Sequence, residues 1–244
     1  IRSRTLRVFG AGESQVESLL RERMNALVNP TLAPYAKEGE MELRITAKAA
    51  SVPEADALIA PVEAEVRAAL GDLIYGTDVP SLEAVALAGL KERGLTLGTA
   101  ESCTGGLIAK RITDLPGASC ALRGGIVSYT NEVKEGVLGV PHDLLEAQGA
   151  VCADAAQAMA QGARRVLGCD LAVSATGVAG PDSDDRGNPV GLVYVALTDE
   201  ERCWVRELHL GGARARRDRV RTLAANHALD MIRRWLAGLE IEHI

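Results

Sequence analysis

The sequence predicts an α/β protein in two parts: a small βαββαβ unit of α+β type over residues 1–77, and a larger three-layer α/β/α domain over residues 81–244. Three observations lead there. Apolar residues switch repeatedly between the period of a strand and that of a helix. The first part runs through the order strand, helix, strand, strand, helix, strand, which is the split βαβ arrangement. Beyond Ser81, strands alternate with helical stretches, the pattern of helices layered on a sheet.

Residues 5–9 (TLRVF) are β-prone, and Ser14 with Glu17 reads as a capping box opening a helix with Val16, Leu19, Leu20 and Leu27 on one face. A short extended piece at 31–35 and a turn at Gly39 lead into Met41, Leu43, Ile45 and Ala47, which alternate with polar neighbours as in a half-buried strand. Ser51, Pro53 and Glu54 supply the cap, first-turn proline and capping acid of a second helix, which carries Ile59, Val62, Val66 and Leu70 and contains Pro61, a residue that weakens helices. A strand over 72–76 closes the unit, and 77–81, with Pro80, reads as a linker. The second part predicts a helix from Ser81 to Leu90, strands near 95–100, 125–130, 170–175, 190–197 and 203–210, and helices near 104–113, 142–148, 152–167 and 216–237.

Composition narrows the function classes. The chain has 244 residues, 47% of them hydrophobic but only 3% aromatic, so its cores are built from Ala, Val, Leu and Ile. No apolar run approaches the roughly 20 residues that cross a bilayer, which reads as a cytoplasmic protein. Five scattered cysteines without a CxxC pair predict free thiols, with neither a disulfide framework nor a zinc site. A net charge of −6 gives no field for nucleic acid, although seven arginines gather between Arg202 and Arg221. Gly10-Ala-Gly12 is followed by acidic Glu13 and there is no set of stacking aromatics, so nucleic-acid binding is disfavoured.

Four segments can carry chemistry. In Gly98-Thr-Ala-Glu-Ser-Cys-Thr-Gly-Gly106 a buried strand turns into a helix, so backbone amides can face an oxyanion or phosphate. Ser102 there is either a nucleophile or an ordinary turn serine, and adjacent Cys103, at a helix start, is a rival nucleophile. In Gly124-Gly-Ile-Val-Ser-Tyr-Thr-Asn-Glu-Val-Lys134 a strand ends at Tyr129 and a helix starts at Thr130 or Asn131, which puts Lys134 in the first turn. A lysine there is either a solvated surface charge or a base whose pKa is lowered by the helix dipole and burial. Ala175-Thr-Gly-Val-Ala-Gly-Pro-Asp182, with Pro189-Val-Gly191, is a glycine-rich loop where ligands of open α/β sheets bind. Its Asp182, Asp184 and Asp185 read as a solvated turn, and no metal is assigned. Finally, Arg214, Arg217 and Arg221 can share one face at the start of the last helix and suit a phosphate, or else form a basic surface paired with acids.

Taken jointly, TAESCTGG, GGIVSYTNEVK, ATGVAGPD with PVG, and the arginine-rich entry to the last helix resemble the C-terminal domain of the CinA (competence/damage-inducible) family. The βαββαβ unit is similar, by position and element order, to the KH-type domain of that family. Full-length members carry a further domain resembling molybdopterin-biosynthesis proteins, and no segment of this chain resembles it. The resemblance implies a nicotinamide mononucleotide deamidase of pyridine nucleotide salvage, working without a cofactor, and a homodimer. By motif it implies Ser102 as nucleophile, Lys134 as base and Tyr129 beside them. Thr104, Gly105, Gly106, Thr176, Gly177, Ala179 and Gly180 would line the substrate. The phosphate would fall to Arg214 or Arg217, since Gly212-Ala-Arg214 fits one half of the family pattern and Arg217 with Arg221 the other. A catalytically silent nucleotide-binding domain and a nucleic-acid-binding module are the alternatives.

Overall fold

The computed structural model describes residues 1–212 and 216–243, so Arg214 lies outside the described residues. The chain divides into two compact units, one through Ser81 and one from Leu82.

The first unit comprises β1 (Arg2–Val8), α1 (Glu13–Ala26), β2 (Thr31–Lys37), β3 (Glu40–Ala47), α2 (Val52–Leu70) and β4 (Ile74–Thr77). Its sheet has the order β2-β3-β1-β4 with every neighbour antiparallel, so β3 lies between β1 and β2 as the split βαβ pattern requires. Alternation along β1 and β3 turns Leu6, Val8, Met41, Leu43, Ile45 and Ala47 into a core shared with Val16, Leu20, Ile59, Val62 and Val66. Ser51 caps α2 as expected, its side chain accepting from Glu54 N. One expectation is corrected. The Ser14–Glu17 capping box does not form: α1 starts two residues earlier, behind Gly12, and Leu19 is exposed. The second helix forms as expected with Pro61 inside it: the residue whose carbonyl loses its amide partner there, Ala57, is exposed.

The second unit comprises α3 (Leu82–Arg93), β5 (Leu97–Glu101), α4 (Leu107–Thr113), β6 (Leu122–Val127), α5 (Asn131–Gly136), α6 (His142–Gln148), α7 (Ala153–Leu167), β7 (Leu171–Gly177), β8 (Leu192–Thr198), β9 (Cys203–His209) and α8 (Arg217–Ala237). The sheet order is β6-β5-β7-β8-β9; β6, β5 and β7 are parallel, whereas β8 and β9 join antiparallel. One face packs on α7, where Ala156, Ala160 and Ala163 let the helix lie close to Ala172 and Ala196. The other is covered by α4 and α8, with α3 packed on both. These are the three layers. Strands β5 and β7 are buried from both sides, and the carboxyl ends of the parallel strands deliver Glu101, Val127 and Gly177 to one edge. No helix among the described residues is long and apolar enough to cross a membrane.

Candidate active site

Ser102 is the first residue past β5, the strand flanked by both parallel neighbours. Its amide donates to Ala175 O (2.9 Å) on β7, which fixes the backbone at the point where the chain leaves the sheet. A tight turn follows: Gly105 N donates to Ser102 O and Leu107 N to Thr104 O. Gly105 and Gly106 both have positive φ (59° and 92°), a conformation that a side chain would strain. The amides of Ser102 and Gly105 are therefore engaged, whereas among the described residues those of Cys103, Thr104 and Gly106 have no backbone acceptor. Nor is the start of α4 open to a phosphate, because its Ile108 and Ala109 amides are held by the Glu101 carboxylate. The expected anion-binding turn is thus narrower than the sequence suggested.

Lys134 enters from α5, which packs beyond the end of β6. It is 1% exposed and, among the described residues, the largest fully buried side chain. Nζ lies 3.2 Å from Ser102 Oγ, 2.8 Å from Ser128 O and 3.3 Å from Tyr129 O. Among the described residues no carboxylate forms an ion pair with it. Burial depresses its pKa below the ordinary lysine value, opposed weakly by Cys103 and the Glu132 carboxylate. The helix dipole is not the cause: α5 has only six residues, and Lys134 stands in its last turn, not its first. The direction of the expected shift holds, and its physical origin is desolvation.

An amine with two N–H groups directed at carbonyls can aim its lone pair at a serine hydroxyl. Once protonated, its three N–H groups have three acceptors waiting. The site thus accommodates Lys134 both before and after it has taken a proton.

Cys103 is buried, and burial pushes its thiol up to about 12. It also precedes α4 by several residues, so the low-pKa thiolate that would make it a rival nucleophile does not arise. Tyr129 is exposed; its carbonyl faces Lys134, whereas its hydroxyl accepts from Arg217 Nη2 at 2.9 Å. The other Arg217 nitrogen donates to Gly180 O at 2.6 Å, tying the glycine-rich loop to the tyrosine. Arg221, one turn further along α8, donates to Thr104 O at 2.7 Å and abuts Gly105. Position Arg221 belongs with the site although the family pattern pointed to Arg214 and Arg217.

The hydroxyls of Thr104 and Ser128 are buried with no partner among the described residues. Thr176 and Gly177 end β7 beside Ser102's strand; the Thr176 hydroxyl donates to Ala150 O, and Gly177 abuts Leu192 O and Val193. Ala179 is buried in the loop that follows. The structure therefore joins Ser102, Lys134, Tyr129, Thr104, Gly105, Gly180 and Arg217 by direct contacts, and places Gly106, Thr176, Gly177 and Ala179 on the adjoining backbone. The other arginines have different work: Arg206 is paired with Asp230 in the interior, Arg216 with Asp218, and Arg202 stacks on Trp204. Asp184 closes its own turn by accepting from Arg186 N and Asn188, and among the described residues no cluster of His, Cys, Asp and Glu could hold a metal.

Comparison with known proteins agrees with this partition. Residues 80–236 match the model of the CinA C-terminal domain, and residues 3–76 that of the damage-inducible protein CinA KH domain. A CinA-like protein of Desulfovibrio desulfuricans is 46% identical over 99% of this chain, and one of Dictyoglomus turgidum 45% over 98%. The chain spans 57% of the length of each. Among solved structures, competence/damage inducible protein CihA of Agrobacterium tumefaciens is 36% identical with a TM-score of 0.59, over 63% of this chain and 94% of that one. Competence damage-inducible protein A of Klebsiella pneumoniae is 30% identical with a TM-score of 0.62, over 65% and 97%. With both units matched in order and the Ser102–Lys134 segments inside the larger match, the chain belongs to the CinA family.

Proposed function

We propose that the second unit is a serine amidohydrolase that hydrolyses the carboxamide of nicotinamide mononucleotide to nicotinate mononucleotide and ammonia. The observation that carries the amidase chemistry is the buried Lys134 amine, without an acidic partner among the described residues, 3.2 Å from the half-buried Ser102 hydroxyl. Neutral Lys134 removes the Ser102 proton as Oγ attacks the carboxamide carbon. The oxyanion meets the remaining turn amides, those of Cys103, Thr104 and Gly106. Lysinium, steadied by the Ser128 and Tyr129 carbonyls, then protonates the departing ammonia. Water, activated by the same lysine, hydrolyses the acyl-enzyme. The choice of nucleotide comes from the family, and is supported here by Arg217 and Arg221, two guanidiniums at the mouth of the site suited to a phosphate.

The test is ammonia release from nicotinamide mononucleotide, with nicotinamide and nicotinamide riboside as competitors. Ser102→Ala and Lys134→Ala should each lower kcat by about 1,000-fold or more. Cys103→Ala, which keeps the backbone amide, should stay within about threefold of wild type. Near-normal turnover in either dyad variant removes the mechanism. Nucleotide binding without ammonia release would favour a silent binding domain instead.

A further inference from the structure

Glu101, the residue before the nucleophile, has no part in the mechanism above, yet it is fully buried, with 0% exposure. Its carboxylate accepts from Ile108 N at 3.0 Å, from Ala109 N at 2.9 Å and from the Thr99 hydroxyl at 3.1 Å. A buried carboxylate needs such a set of donors, because without them its desolvation would be prohibitive. The two amides belong to the first turn of α4, so the side chain reaches forward over the loop and ties the far end of the turn to the strand that begins it. Residues 102–106 are thereby closed into a lariat. Its short span is what sends Gly105 and Gly106 to positive φ.

The main chain of Glu101 makes a second closure. Glu101 O accepts from Ser128 N at 2.9 Å, and Ser128 O in turn accepts from Lys134 Nζ at 2.8 Å. With the 3.2 Å contact from Nζ to Ser102 Oγ, a ring runs from Ser102 through Glu101 and Ser128 to Lys134 and back. Both closures pass through one residue.

We infer that Glu101 is the positioning residue of the dyad: its carboxylate holds the 102–106 loop so that the Ser102 hydroxyl meets Lys134 while the Cys103, Thr104 and Gly106 amides stay turned to the reacting oxygen. By engaging the first amides of α4, it also keeps anions away from that helix and leaves the phosphate to the arginines. The inference deepens the amidase proposal and rests on it only for the identity of the substrate, since serine reactivity can be read separately.

The test compares wild type with Glu101→Gln, which keeps the shape and gives up two acceptor sites, and with Thr99→Val, which keeps the shape and removes one donor. Two rates are measured: ammonia release from nicotinamide mononucleotide, and labelling of Ser102 by a small fluorophosphonate, which requires only an activated serine. Glu101→Gln should lower both kcat and the labelling rate by about 10- to 100-fold with KM changed by less than about threefold, the pattern of misplaced reacting groups. Thr99→Val should move the same way by about 3- to 10-fold. A merely structural role predicts a lower Tm with both rates, per folded molecule, within about twofold of wild type, and that result overturns the inference. Should Glu101→Gln fail to fold, Thr99→Val decides by the same criterion. If wild type is labelled but releases no ammonia, the substrate assignment falls and the labelling ratio still judges Glu101. If it does neither, both fall.

Discussion

The pKa of Lys134 is lowered as the sequence suggested, but by a different physical cause. The sequence marked it as unusual because a helix start disfavours a cation, but α5 is too short to supply that field, and Lys134 lies in its last turn. Burial lowers its pKa. The sign follows directly: the base form is the neutral amine, so activity is present above the folded pKa of Lys134 and lost as pH falls through it. Because that pKa lies below the ordinary lysine value of 10.5, the limb of the kcat profile should rise at a lower pH than a free lysine would give. Lys134→Arg should remove the limb and lower kcat by about 1,000-fold or more, since a guanidinium does not deprotonate in this range. A pH series of initial rates on both proteins checks this; an unchanged limb in Lys134→Arg would assign it to another group. The pairing of Ser102 with Lys134 was legible as a juxtaposition because their residue types are chemically distinctive. Glu101 was not, because a buried carboxylate bound to amides seven and eight residues on looks in sequence like any strand-end acid, and neither was Arg221's specific contact, which depends on how α8 lies over the loop.

Among the elements, most helices and strands were legible from periodicity, and the errors fell at their ends. Gly12, not Ser14, precedes α1; β6 stops at Val127, two residues short of Tyr129, so that Ser128 and Tyr129 turn their carbonyls to Lys134. Strand ends move by a residue or two without changing the hydrophobic pattern, and the candidate site is built on those residues. Packing between elements was hidden as well. Gly162 sits within the alanine-rich α7, where sequence offers no reason for a glycine, and a Cβ there would stand 2.1 Å from Leu138 O. That carbonyl accepts from Arg165 and lies just beyond α5, whose Lys134 O holds Val140 N at 3.0 Å. Backbone cannot yield as a side-chain tip would. Gly162→Ala, although a better helix former, should therefore destabilise the second unit by about 2 kcal/mol and lower Tm by about 5 °C, with loss of activity as α5 shifts. Thermal melts with rates per folded molecule would show it, and an unchanged Tm would mean that α7 moves aside freely.

At the scale of the whole molecule, Leu6, Val16, Leu43 and Ile59 share a core within the first unit, and Ala100, Leu138, Met159 and Ala172 share one within the second. The division was legible because the element order changes at the proline-containing stretch before Leu82. The strand order β6-β5-β7-β8-β9 was less so, since hydrophobic pattern does not name a strand's neighbour; only the absence of a helix between β7 and β8 hints at the antiparallel join. Every residue of the candidate site, from Thr99 to Arg221, comes from the second unit. The solved relatives in Agrobacterium tumefaciens and Klebsiella pneumoniae are matched over 94% and 97% of their own length by 63% and 65% of this chain, the proportion of a protein built from that unit alone. Residues 80–244 expressed by themselves should accordingly fold, because residues from Leu82 onward form a compact unit of their own, and should hydrolyse nicotinamide mononucleotide with kcat within about twofold of the whole chain. Circular dichroism and the ammonia assay on both proteins decide the matter. A folded but inactive fragment would mean that the βαββαβ unit contributes to the site after all, whether within one chain or from a second copy.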